Sequence, residues 1–187
     1  ANPRSPGVLY NMGISYGGTG DIDTAMLYYK KALDIYPGFA RALNNLGNAH
    51  IAKGELAAAI EALTRAVSIK PDFAEAHNNL GNAHIKQGEV AKAIAAYERA
   101  TGIWPNFAEA HYNLGIAYRK SQQLDKAIAH LKQAVAINPA YAKAHYQLAI
   151  VYYNDKQYRQ ALLHCNKAIE LGGAVDPKLI ELLKPYG

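Results

Sequence analysis

Proline stands at positions 37, 71, 105 and 139, once every 34 residues, and Pro3 extends the series backwards. A fixed period of this length constrains the fold more than any other feature of the chain. Each period must be one supersecondary unit that cannot bury its apolar face alone and does so against its neighbours. Cut at these prolines, the chain gives five units, 3–36, 37–70, 71–104, 105–138 and 139–172, and a tail over 173–187.

Within each unit the apolar residues recur at i, i+3, i+4 and i+7 in two blocks separated by a short polar break, as in residues 42–69. That periodicity predicts two helices per unit. The break carries Gly20, Gly54 and Gly88, then Gln122 and Lys156. Glycine there suits a chain leaving a helix in the left-handed conformation. Proline after the second helix blocks its continuation, so five antiparallel hairpins are expected to stack.

Some columns admit only small residues. Gly13, Gly47, Gly81, Gly115 and Ala149 share a place in the first helix. The second helix holds Ala25, Ala59, Ala93, Ala127 and Ala161, and then Ala32, Ala66, Ala100, Ala134 and Ala168. Small side chains at matched sites let two helix axes approach closely while larger residues fill the grooves beside them. The expected fillers are Met12, Leu46, Leu80, Leu114 and Leu148, with Ile35, Ile69, Ile103, Ile137 and Leu171. In the tail, Asp176 before Pro177 reads as a helix start. Leu179, Ile180, Leu182 and Leu183 give that helix an apolar face opposite Lys178, Glu181 and Lys184, as expected of a cap on the last hairpin. The first hairpin has no comparable cover, which leaves homotypic assembly, a homo-oligomer, as one reading.

Small residues at the eighth, twentieth and twenty-seventh places, Leu at the seventh, Tyr at the eleventh in three units and Pro at the thirty-second resemble the tetratricopeptide repeat over about residues 3–172. Leu9, Leu43, His77, His111 and His145 stand where Trp or Leu is usual, and Gly173 replaces the last proline. The resemblance implies an all-α, right-handed solenoid of five hairpins with a C-terminal capping helix. It also implies a concave groove lined by the first helices, at their second, fifth, sixth, ninth, twelfth and thirteenth places.

Carried onto this chain, the sixth place reads Asn11, Asn45, Asn79, Asn113 and Gln147. A carboxamide offers one acceptor oxygen and two donors, so a row of them can pair with an extended peptide backbone whatever its sequence. The column resembles the asparagine ladder in the repeat region of O-linked N-acetylglucosamine transferases. Asn44, Asn48, Asn78 and Asn82 add to the polar middle of the expected groove. Tyr112, Tyr146 and Tyr153, with Arg119, Lys120 and Lys143, enrich its later part, and Tyr and Arg are common interface anchors. Asn82, Asn113 and Lys143 match part of a two-carboxylate clamp found in the family, whereas Asn78 and Gln147 stand where basic residues would be needed.

The expected function is therefore a non-catalytic interaction scaffold or adaptor that binds a protein or peptide. The alternative is the substrate-recruiting arm of a larger enzyme such as a glycosyltransferase. No cofactor, metal or catalytic group is expected. The histidines follow the repeat, the His164-Cys165 neighbours point to different sectors of one helix, and residues 17–20 lack the Lys-Ser/Thr ending of a phosphate cradle. Cys165, the sole cysteine, reads as a small buried hydrophobe in a chain suited to a reducing, cytoplasmic compartment. A net charge of +5 spread over five units permits acidic partners but is no nucleic-acid signature. No apolar run is long enough to span a membrane. The start at Ala1-Asn2-Pro3, with neither initiator Met nor leader, reads as trimmed or processed.

Overall fold

A computed structural model describes residues 5–187, so Pro3 and the start of the first unit lie outside the described residues. Two helices follow in each repeat: α1 Pro6–Gly18 and α2 Ile22–Ile35, α3 Ala40–Lys53 and α4 Leu56–Ile69, α5 Ala74–Lys86 and α6 Val90–Ile103, α7 Ala108–Lys120 and α8 Leu124–Ile137, α9 Ala142–Asn154 and α10 Tyr158–Glu170. The tail forms α11, Pro177–Leu183, and a single 3-10 turn. No strand occurs among the described residues.

Two compact units divide the chain, Ala1–Ile103 and Trp104–Gly187, and their border falls one residue before that between the third and fourth repeats. In the first, α3 packs on α2, and α5 on both α4 and α3. In the second, α9 packs on α8 and α7, and α11 closes over α10.

The close approach inside each hairpin rests on the glycine column. A Cβ placed on Gly13 or Gly81 would stand within 3 Å of the ring of Tyr29 or Tyr97, and one on Gly47 or Gly115 equally close to Leu63 or Leu131. Each large partner lies sixteen residues on, so in the fifth repeat Ala149 is matched by Cys165. The methyl gained on one helix is met by a smaller side chain on the other. Both residues are buried, and burial pushes the Cys165 thiol up from its ordinary pKa. The alanine columns are likewise sealed. Between hairpins, Leu43 and Ala66 of one repeat close on Phe73 and Ala76 of the next.

Termini follow local chemistry. Ser5 caps α1 by accepting from the Val8 amide, and Asp176 caps α11 by accepting from Lys178. The other first helices have Phe39, Phe73, Phe107 or Tyr141 at the N-cap and no side-chain cap bond. The ring packs instead: Phe39 lies 4.9 Å from Tyr10 and Tyr141 lies 5.0 Å from Tyr112. The polar breaks turn through positive φ at Gly20, Gly54 and Gly88, and equally at Gln122 (62°) and Lys156 (61°), where a side chain must bear it.

Two expectations need correction. Ile35 and Ile69 are exposed rather than fillers. They are the last residues of their helices, where the chain leaves for the turn and nothing covers them. Leu182 is also exposed, because in so short a helix only Leu179 and Leu183, one turn apart, face α10.

Gly81→Leu is expected to cost about 1–3 kcal/mol or more by overpacking against Tyr97; urea denaturation of the variant measures it, and an unshifted midpoint would contradict the packing. Lys156→Gly relieves a strained left-handed residue and is expected to stabilise the chain by about 0.5–1 kcal/mol in the same assay.

Candidate functional site

In the three-hairpin unit the amides form a hydrogen-bonded series rather than a set of separate hooks. Asn79 Nδ2 donates to Asn44 Oδ1 at 2.9 Å, Asn44 Nδ2 to Asn45 Oδ1 at 3.2 Å, and Asn45 Nδ2 to the Tyr10 hydroxyl at 3.4 Å. Each bond orients the next amide. Asn45 also faces the Tyr29 hydroxyl, and its donation opposes the rise in pKa that burial imposes on that phenol. Asn79 uses one N–H and keeps its oxygen, so one acceptor and one donor remain to it.

Burial divides the expected contacts. Asn11 and Asn48 are exposed, and Asn45, Asn79 and Asn82 are half-buried. Asn44 is 7% and Asn78 2% exposed, so both amides are largely buried in the free chain. They sit where α3 and α5 turn inward, and Asn44 serves to aim Asn45 and Asn79. Asn82 accepts from the Tyr97 hydroxyl at 2.7 Å, tying α5 to α6.

Two open recesses share Asn45. One, of about 380 Å³, is lined by Tyr10, Arg41, Asn44, Asn45, Lys70, Phe73 and Glu75; the other, of about 240 Å³, by Ile22, Ala25, Tyr29, Asn45, Asn48 and Ala49 among others. Tyr10, Arg41, Lys70 and Phe73 were not singled out by sequence. Tyr10 and Arg41 stand at the fifth and second places expected to line the groove. For Lys70 and Phe73 the signal is the aromatic recurring at 39, 73, 107 and 141, which marks the turn that brings them beside the preceding first helices.

In the second unit Asn113 and Gln147 are half-buried, as are Tyr112, Tyr146, Tyr153 and Arg119, whereas Lys120 and Lys143 are exposed. Tyr112 packs on Tyr141, and burial raises both phenols, Tyr141 to about 12. Tyr153 meets Tyr158 at 5.5 Å. Gln147 Oε1 and Arg119 Nε are both buried without a hydrogen-bond partner among the described residues.

The histidines do more than follow the period. His77, His111 and His145 each direct Nε2 to the carbonyl of the proline that opens their repeat, at 2.9–3.2 Å. With Nε2–H donating there, Nδ1 is an acceptor. In the second unit it meets a histidine of the second helix: His111 Nδ1 lies 3.0 Å from His130 Nδ1, and His145 Nδ1 lies 2.9 Å from His164 Nδ1. Tyr118 and Tyr152 stack on His130 and His164 at 5.6 Å. At the tyrosine positions the first unit has His50 and His84, each with Nδ1 on a carboxylate, of Glu55 and Glu89. The sequence signal for the pairs was the shared offset of nineteen residues. No three potential metal ligands stand together among the described residues.

Burial first, then His145 and Lys132, lower His164 from the ordinary 6.5 to about 4. As pH falls from 6.5, the unfolded chain takes up a proton that folded His164 refuses, so stability present above 6.5 drains away down to about 4. Between pH 7 and pH 4.5 wild type is expected to lose on the order of 1 kcal/mol more in urea denaturation than His164→Ala, after allowance for solvent screening; equal losses would exclude the pair as their source.

Similarity to known proteins agrees with the repeat. Models described as TPR repeat or tetratricopeptide repeat match residues 6–39, 28–61, 47–88, 78–142 and 118–173. A crystal structure of MamA is 30% identical over 89% of this chain and 91% of that one, with a TM-score of 0.77. MamA from Desulfovibrio magneticus RS-1 is 23% identical over 89% and 94%, at 0.80. YrrB, described as a TPR protein with an unusual peptide-binding site, is 22% identical over 98% and 94%, at 0.76. The last two likenesses concern the fold alone. No curated protein matches the chain. No helix among the described residues is long and apolar enough to cross a membrane.

Proposed function

Because the chain belongs to the tetratricopeptide repeat family, we propose that it is a non-catalytic protein-interaction scaffold whose first helices hold an extended segment of a partner protein. The observation that carries this reading is the oriented amide series of the three-hairpin unit. Asn79 keeps one donor and one acceptor, and the Tyr10 hydroxyl, which accepts from Asn45, keeps its own O–H to donate. Peptide N–H and C=O groups are the complement of that set. A segment bound through its backbone already lies extended and loses fewer hydrogen bonds to water than one held by apolar contacts alone.

Asn113 and Gln147, at the same place of the fourth and fifth repeats, offer the same amide chemistry within the second unit. There the half-buried Tyr112 and Tyr146 offer flat apolar surface with a polar tip, and Arg119, Lys120 and Lys143 supply positive charge. MamA, at 30% identity, places the chain among tetratricopeptide repeat proteins, and the fold it shares with YrrB, described by its peptide-binding site, is compatible with this reading.

Isothermal titration with peptides selected from an arrayed library tests the proposal. Asn45→Ala/Asn79→Ala/Asn113→Ala is expected to weaken binding about tenfold or more, equivalent to about 1.4 kcal/mol, with circular dichroism confirming that the variant folds. Equal affinities for wild type and variant would rule out the amides as a binding device.

A further inference from the structure

The two recesses that share Asn45 differ in chemistry, and the difference names the partner. One is cationic and aromatic. Arg41 is exposed with no ion pair among the described residues, Lys70 lies 5.0 Å over the ring of Phe73, and Glu75 is the one acidic residue in the lining of this recess among the described residues. The Tyr10 hydroxyl and Asn45 stand at its inner wall. The other recess is walled by Ile22, Ala25, Ala49 and the ring of Tyr29, with no charged side chain and only the Tyr29 hydroxyl, Asn45 and Asn48 as polar side-chain groups.

We propose that the three-hairpin unit selects a partner segment carrying an acidic residue and an apolar residue, one for each recess, on either side of a backbone stretch held at Asn45. This rests on the peptide-binding reading above and adds the partner's chemistry to it. The spacing follows from α3. Arg41 and Asn44 precede Asn45, whereas Asn48, Ala49 and Ala52 follow it. The two sets are centred seven or eight residues apart, about 11 Å at a rise of about 1.5 Å per residue. An extended chain at about 3.3 Å per residue covers that distance in three or four residues. The recognised segment therefore carries its carboxylate and its apolar side chain three or four residues apart.

The arrangement belongs to this unit alone. At the places of Arg41 and Lys70 the fourth repeat has Glu109 and Asn138 and the fifth has Lys143 and Gly172, so neither repeat of the second unit carries the cation pair. Charge decides between partners more than it adds affinity, because exposed pairs are individually weak while like charges brought together in a recess are rejected.

An array of capped twelve-residue peptides, probed with the full chain and followed by fluorescence anisotropy on the strongest binders, tests this. Wild type is expected to prefer peptides with Asp or Glu three or four residues from Leu, Ile, Met or Phe. Arg41→Glu/Lys70→Glu is expected to lose about tenfold on those peptides and gain on their Lys-containing counterparts. Ala52→Glu, at the mouth of the apolar recess, is expected to abolish the apolar preference and keep the acidic one. All three positions are exposed, and Arg41→Gln/Lys70→Gln provides a milder variant should the reversal disturb folding. Peptides that bind, weaken with the Asn variant and yet ignore the charge reversal would overturn this inference and leave the peptide-binding reading standing. A chain that binds no peptide in the array would overturn both.

Discussion

The close approach of the two helices within each hairpin is the contact on which everything else is built. A missing Cβ at Gly13, Gly47, Gly81 and Gly115 is what admits Tyr29, Leu63, Tyr97 and Leu131 against the first helix. Without that approach the alanine columns would not seal and the first helices would not be held side by side. The fifth hairpin reaches the same end with Ala149 and Cys165. There a methyl gained on the first helix is met by a smaller side chain on the second, so the seam still closes.

On that frame the polar residues take two different duties. Asn44 and Asn78 are buried, and a buried amide must be hydrogen-bonded, so their first task is internal. By accepting from Asn79 and donating to Asn45, Asn44 sets the direction in which its neighbours point. Preorganised amides lose less entropy on meeting a ligand than freely rotating ones. A column of like residues in sequence thus becomes, in space, a layer that positions and a layer that is offered.

The two units spend the same repeat positions on opposite chemistry. In the second and third repeats a first-helix histidine meets a glutamate. In the fourth and fifth these positions become Tyr118/Gln123 and Tyr152/Gln157, and the tyrosines stack on histidine pairs whose facing nitrogens have room for one proton between them.

The period, the two helices per repeat, the left-handed break and the small-residue seam were all legible in the residue order. They depend on local periodicity and on features, such as Pro71 or Gly81, that recur in phase. The tetratricopeptide character followed from the same recurrence. Tertiary structure decided what the alignment of columns could not: that Asn44 and Asn78 turn inward, that Ile35, Ile69 and Leu182 stay uncovered, and that His111 finds His130. It alone brought Arg41, Lys70 and Phe73 to one recess with Tyr10. Periodicity states which residues share a face of one helix. Which of them lie covered depends on where neighbouring helices and turns end, and that is settled only when the hairpins pack.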